Sequence, residues 1–229
     1  MPILTYHRVH RYATEPVKSI PDLTIEPASF DAQMAAISRA GYHAITQRQL
    51  YGALFRHARL PARPVLLTVD DGYADDAERI LPALRRRRLV ATFYVITRRL
   101  GQPGFLTAAQ VRQLERAGMD VGAHTRTHVT LPALAPPALR SEVSGSQSDL
   151  QRVLGHPVPW FAYPFGAYDA AVVRAVRGAG FVLAVTTRGG TLQSGDRALT
   201  LPRVHVGRST TVAVILGCLR APAACAGGA

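Results

Sequence analysis

The sequence predicts an α/β fold: parallel strands with helices outside, closed into a distorted barrel rather than left as an open sheet. Three observations predict it. The first is an echo: "SRAGYHAIT" (38–46), "ERAGMDVGAHT" (115–125) and "RGAGFVLAVTT" (177–187) each run from a helical pattern through Ala-Gly into an apolar strand. Gly41, Gly118 and Gly180 fit the left-handed position just past a helix C-terminus. The second is that the strands read as continuous apolar runs, the pattern of strands buried on both faces. The third is number: about seven such strands alternate with helical stretches, and that alternation argues for parallel pairing.

The elements follow in order. "PILTYHRV" opens the chain as a strand that carries an imidazole, His7. Further strands are "PVLLTVDDG" (64–72), "ATFYVIT" (91–97) and "FAYPFG" (161–166), with "LTLPRVHVG" late in the chain. Helices are expected over roughly 30–40, 47–58, 74–88, 107–117, 137–153 and 168–178. Ser29 and Thr107 are candidate N-caps. The run Arg85 to Arg88 falls where a helix should end, and the helix dipole favours cations there. Residues 1–220 are expected to form a single domain, and residues 221–229, "APAACAGGA", a disordered tail.

Composition bounds the function. The 229 residues are 48% hydrophobic, enough for one α/β domain with a sizeable core. No apolar run approaches the ~18 residues of a transmembrane helix. The N-terminus shows no basic start followed by an apolar core, so no signal peptide is visible. As it stands the sequence is expected to be cytoplasmic, and extracytoplasmic if its N-terminus is truncated. Two cysteines, Cys218 and Cys225, make neither a disulfide framework nor a zinc motif. The net charge is +12, and every basic residue except Lys18 is Arg. The arginines are scattered and not interleaved with aromatics, which argues against specific nucleic-acid binding. Peripheral contact with an anionic membrane or polymer surface remains consistent with the charge.

Polar groups gather where the strands end. Asp70 and Asp71 follow "VLLTV", and Gly72 supplies the turn that lets neighbouring side chains face one place. Adjacent carboxylates are costly unless a cation neutralises one of them, which leaves the other free for proton transfer. His124 and His128 follow "MDVGA" at i, i+4, so a helical turn would aim both imidazoles at one metal. One carboxylate and two imidazoles leave metal positions open for water and substrate. Trp160, Phe93 and Tyr94 read as core residues.

Together "TVDDG" (68–72), "HTRTH" (124–128) and "FAYPFG" (161–166) resemble, in order, the first three motifs of the polysaccharide deacetylase family. This is carbohydrate esterase family four, the NodB homology domain, whose fold is a distorted (β/α)7 barrel. The style is nearest the circularly permuted poly-N-acetylglucosamine deacetylases. The resemblance implies that Asp71, His124 and His128 bind one divalent metal, Zn2+ with Co2+, Ni2+ or Mn2+ as alternatives. It implies that Asp70 is the general base and that Thr125 steadies the loop between the histidines. Tyr163, Pro164, Phe165 and Gly166 would line the oxyanion and substrate site, with the Phe165 backbone N–H holding the oxyanion. The general acid, usually on a late strand, would here be His7, moved to the front of the chain; His205 is the other candidate.

Two departures stand out. Ala162 occupies the place of the motif arginine that pairs with the base, and Arg203 is either its replacement or a surface residue. Val69 replaces the usual Phe. The implied function is metal-dependent removal of N-acetyl groups from an aminosugar in a polysaccharide or glycolipid. A non-sugar or cyclic amide hydrolase and a catalytically inactive sugar-binding module are the competing readings.

Overall fold

The computed structural model describes residues 1–14 and 21–221. The expected tail, apart from Ala221, lies outside the described residues. The strands are β1 (Ile3–Tyr6), β2 (Arg8–Val9), β3 (Thr24–Ile25), β4 (His43–Ile45), β5 (Pro64–Val69), β6 (Thr92–Val95), β7 (Asp120–Ala123), β8 (Trp160–Ala162), β9 (Leu183–Val185) and β10 (Val204–His205). The helices are α1 (Pro27–Arg39), α2 (Gln47–Arg56), α3 (Leu81–Arg86), α4 (Ala108–Arg116), α5 (Pro136–Leu154), α6 (Ala170–Gly178) and α7 (Val212–Arg220).

All pairings are parallel, in the order β10-β1-β5-β6-β7-β8-β9. The seven-stranded path is the distorted barrel expected. Two details distort it. β4 pairs with Pro64–Leu66 of β5 and β6 with Thr68 and Val69, so two short strands share one edge of a longer one. Between β9 and β10 the seam is closed by Leu201, which takes a hydrogen bond from Thr186 N at 2.9 Å and gives one to Ala184 O at 2.9 Å.

The side chains alternate across this sheet with period two. Leu4, Tyr6, Val65, Leu67, Val69, Phe93 and Val95 belong to the core beneath the helices. Ile3, Leu66, Tyr94, Trp160 and Ala162 fill the barrel interior. Trp160, Phe93 and Tyr94 are therefore core residues. Because Phe161 and Tyr163 share the helix-side core, the Tyr163 side chain points away from the strand-end site.

Gly41, Gly118 and Gly180 do adopt positive φ, at 74°, 84° and 89°. Thr107 caps α4 through a reciprocal capping box with Gln110. Ser29 is not an N-cap. Pro27 starts α1 two residues earlier, with Glu26 at the cap position, because proline's fixed φ suits a first helical turn. The helix expected over 74–88 is a π-turn over Asp76–Ile80 that runs into α3. Its arginine end is partly neutralised: Arg86 and Arg87 both meet Asp31, at 2.9 and 3.1 Å.

Candidate active site

β5 delivers the two carboxylates. Asp70 continues the inward face of Thr68, and its N–H donates to Tyr6 O at 2.9 Å. The chain then turns sharply: Asp71 has φ 80° and Gly72 has φ 75°. Two successive left-handed residues swing the Asp71 carboxylate around to the mouth of the barrel. Added carbon at Gly72 would meet Val95 Cγ1 at 3.1 Å.

The histidines arrive from β7, though not on the helical turn that their spacing suggested. They lie on an irregular loop in which Thr125 and His128 both have φ 63°. The reason is tertiary. Glu142 of α5 accepts hydrogen bonds from the Arg126 and Thr127 amides, both at 2.9 Å, and from the Thr127 hydroxyl at 2.8 Å. Thr125 Oγ1 accepts from His128 N at 3.0 Å, steadying the loop as expected. Of the seven described non-glycine residues with positive φ, four are Asp71, Thr125, His128 and Phe165. Strained backbone concentrated in this way is a mark of a functional site.

The result is a convergence. Asp71 Oδ1 lies 3.5 Å from His124 Nε2 and 3.5 Å from His128 Nε2. Asp71 Oδ1 is buried and has no hydrogen-bond partner among the described residues. His124 Nδ1 sits 2.8 Å from Ala162 O, an arrangement that makes Nδ1 the donor and turns the Nε2 lone pair toward Asp71. One ligand atom from each residue lies within 4.8 Å of the others, so the three residues fit a single metal ion.

Electrostatics distinguish the two carboxylates. Burial, and next the Asp70 charge, push Asp71 up to about 7. A cation on the same atoms opposes that shift. Burial would raise Asp70 too, but the charge and hydrogen bonds of Arg203, with His124 and His7, hold it well below the usual carboxylate range. Burial lowers His7, His124 and His128 to about 4.

Arg203 is not a surface residue. It is 1% exposed, and its two terminal nitrogens meet Asp70 Oδ1 and Oδ2 at 2.8 and 2.6 Å. Its Nε donates to Thr186 O at 2.8 Å and its Nη1 to Thr68 Oγ1 at 3.1 Å. It thus pairs with the carboxylate that the arginine missing at Ala162 would have met, approaching from another strand.

His7 Nε2 lies 4.0 Å from Asp70 Oδ2. His205 is its neighbour, with ring centroids 5.8 Å apart, but it is exposed and turned toward Asp22 at 3.5 Å. Of the third motif, Phe165 reaches the site: it is 61% exposed and its ring meets the His128 ring edge-on at 4.6 Å. Pro164 is buried beneath it. Gly166 has φ 66°, and a side chain there would strike Thr187 Oγ1 at 2.1 Å. The expectation that Tyr163 lines the pocket is corrected. Its ring packs against Phe161 and Tyr168, and its hydroxyl donates to Leu199 O at 2.9 Å. Alternation along the strand sends it to the helix side.

Sequence reasoning missed Glu142, Asp149, Arg8 and Asp75. Asp149 holds Arg126 at 2.9 Å and Thr97 at 2.8 Å beside the histidine loop. All four are charged residues, and each acts across a long stretch of chain, where spacing carries no signal.

A parallel barrel with a carboxylate and two imidazoles at its strand ends defines a class of hydrolase. The chain matches the model of the polysaccharide deacetylase family over residues 57–184, more than half its length, and belongs to that family. Its fold is similar to that of the Streptococcus pyogenes deacetylase PplD, solved in complex with acetate, with a TM-score of 0.88 and 27% identity over 96% of this chain and 97% of that one. IcaB from Ammonifex degensii shares the fold with a TM-score of 0.82 at 24% identity, over 96% and 97% of the two chains. Among curated relatives, YxkH of Bacillus subtilis, itself classed with the polysaccharide deacetylases, is 27% identical over 90% of this chain and 71% of its own. A peptidoglycan-N-acetylglucosamine deacetylase of Bacillus cereus is 26% identical over 68% of this chain, which spans 54% of that protein's length.

Among the described residues no helix is long and apolar enough to cross a membrane.

Proposed function

We propose that this protein is a metal-dependent N-deacetylase that removes acetyl groups from an N-acetylated aminosugar within a polysaccharide or glycoconjugate. One observation carries the reading: a buried, unpartnered Asp71 oxygen faces two imidazole nitrogens at 3.5 Å, beside an Asp70 that Arg203 keeps anionic. The name of the Bacillus cereus relative supports the sugar and the amide bond.

Asp71, His124 and His128 would hold one divalent ion. Their nitrogen and oxygen donors suit zinc. Such an ion polarises an acetyl carbonyl and makes water a nucleophile at neutral pH. Asp70 takes the proton of the attacking water; its bidentate pair with Arg203 keeps it free to do so across the neutral range. The backbone N–H of Phe165 stabilises the oxygen on which negative charge develops. The exposed Phe165 ring gives the acetyl methyl an apolar wall. His7 donates the proton to the departing amine. Burial keeps this imidazole neutral at rest, lowered to about 4, so it must take up a proton before it can act as the acid. The proton that Asp70 takes from the attacking water, 4.0 Å from His7 Nε2, would supply it, and His7 would pass it on to the amine.

The test is acetate release from N-acetylglucosamine oligomers by metal-loaded and chelated protein. Chelation should abolish turnover. Asp70→Asn should retain the metal and lower kcat by about 10²- to 10⁴-fold, the usual worth of a positioned base. Near-normal turnover in that variant would mean that another group takes the proton.

A further inference from the structure

We propose that Arg8 and Asp75 form a positioning pair that holds His7 against the Asp70–Asp71 turn, so that the pair governs proton delivery to the leaving amine. The inference rests on the deacetylase reading above and deepens it.

His7 is the single residue between β1 and β2. On its N-terminal side, β1 is fixed along its whole length to β5, the strand that leads into Asp70. On the other side, β2 is two residues long and, among the described residues, pairs only with β3, which is no longer. Arg8 supplies a second anchor. Its Nε and Nη2 both lie 3.0 Å from Asp75 Oδ2. The two side chains are buried, at 7% and 5% exposure. The guanidinium also lies over the Tyr73 ring, 4.5 Å from its centroid. Tyr73 directly follows Gly72. One side chain thus grips the segment leaving the catalytic turn at two points, while its own backbone carries the neighbouring His7.

The His7 ring has no comparable support of its own. Its Nδ1 is buried without a hydrogen-bond partner among the described residues. Its Nε2 is 4.0 Å from Asp70, beyond hydrogen-bond range. Its placement therefore comes from the backbone on either side, and Arg8 holds one of those sides. A buried ion pair is weak evidence of stability, since an apolar pair of equal volume does as well or better. What this pair does supply is a fixed distance between the proton donor and the turn bearing the base.

The experiment measures kcat and KM for acetate release from two substrates. One is an N-acetylglucosamine oligomer, whose amine must be protonated as it leaves. The other is 4-nitrophenyl acetate, whose phenolate leaves without a proton. Arg8→Gln should lower amide kcat by about 10- to 100-fold, the scale of a misplaced catalytic group. KM and ester kcat should stay within about twofold, and zinc affinity by calorimetric titration should not move. His7→Ala should show the same amide-selective loss. The double variant should be no worse than His7→Ala alone, because the pair acts through His7. Arg8→Lys should recover part of the amide rate; it and Asp75→Asn serve if Arg8→Gln fails to fold. Equal loss on amide and ester, or losses that add in the double variant, overturns the proposal and leaves the deacetylase reading intact. A wild-type protein that releases acetate from no N-acetylated sugar overturns both.

Discussion

Asp70 and Asp71 are adjacent in sequence and opposite in character. Their shared strand end explains the neighbourhood, and their partners explain the difference. Arg203 grips Asp70 by both oxygens, while Asp71 Oδ1 faces two imidazole nitrogens at 3.5 Å. Deleting Arg203 alone would leave a buried unpaired carboxylate, at a cost of about 3–5 kcal/mol. The depressed Asp70 pKa contributes stability that is present above the ordinary carboxylate range and is lost as pH falls below it. Asp71 runs the other way. Its pKa, raised to about 7, means that metal must displace a proton below that pH, whereas the three imidazoles stay neutral until about 4. The apparent zinc Kd should therefore rise about tenfold per pH unit from about pH 7 down to about pH 5, a slope of one proton. Titration against a competing chelator measures it. A slope of two or more in that window would mean that a histidine releases a proton in addition to Asp71.

At the scale of elements, strands were more legible than the loops between them. Apolar runs and Ala-Gly punctuation located most barrel strands and their order, because burial on both faces leaves a mark in every residue. The i, i+4 spacing of His124 and His128 located two members of a candidate metal triad but suggested the wrong backbone. A loop satisfies the same two imidazoles once its amides have another acceptor, and that acceptor, Glu142, lies 16 residues from Arg126 in the chain. Arg203 and Asp70 are 133 residues apart, and Arg8 and Asp75 are 67; no local pattern joins such pairs. α7, which closes the described chain, was not anticipated: it has a high apolar content and little to mark its period. The Glu142 brace leads to an expected outcome. Glu142→Ala frees two loop amides and should weaken zinc binding by about 10- to 100-fold, as loss of a residue that orients ligands does. Thermal stability should change little, since Thr127 and its partner lie near solvent. Unchanged zinc affinity in the variant would show that Thr125 alone suffices to set His128.

Across the whole molecule, the closing seam and the charge distribution matter most. The family match covers residues 57–184. Arg203 and His7 both lie outside it, Arg203 just before β10 and His7 just after β1, two strands that pair with each other. Neighbouring strands of a barrel can trade places in chain order and keep their places in space, so Arg203 and His7, from opposite ends of the sequence, both reach Asp70. The chain as a whole carries a net charge of +12. Some of that charge is spent internally: Arg203, Arg8 and Arg126 face carboxylates. The remainder sets a positive field that raises the local concentration of anionic chains and fades beyond about 8 Å at physiological salt. KM for an acidic N-acetylated polymer should therefore rise steeply between low and physiological ionic strength, whereas KM for a neutral oligomer of equal length should stay nearly flat. The kcat for both should be indifferent to salt, because the buried Asp70–Arg203 pair is screened little. Parallel assays across a salt series separate these arms. Equal salt sensitivity for the two substrates would place the effect in the protein's own packing, and tight salt-dependent binding to DNA, with no competition from acidic glycans, would redirect the charge to a different partner.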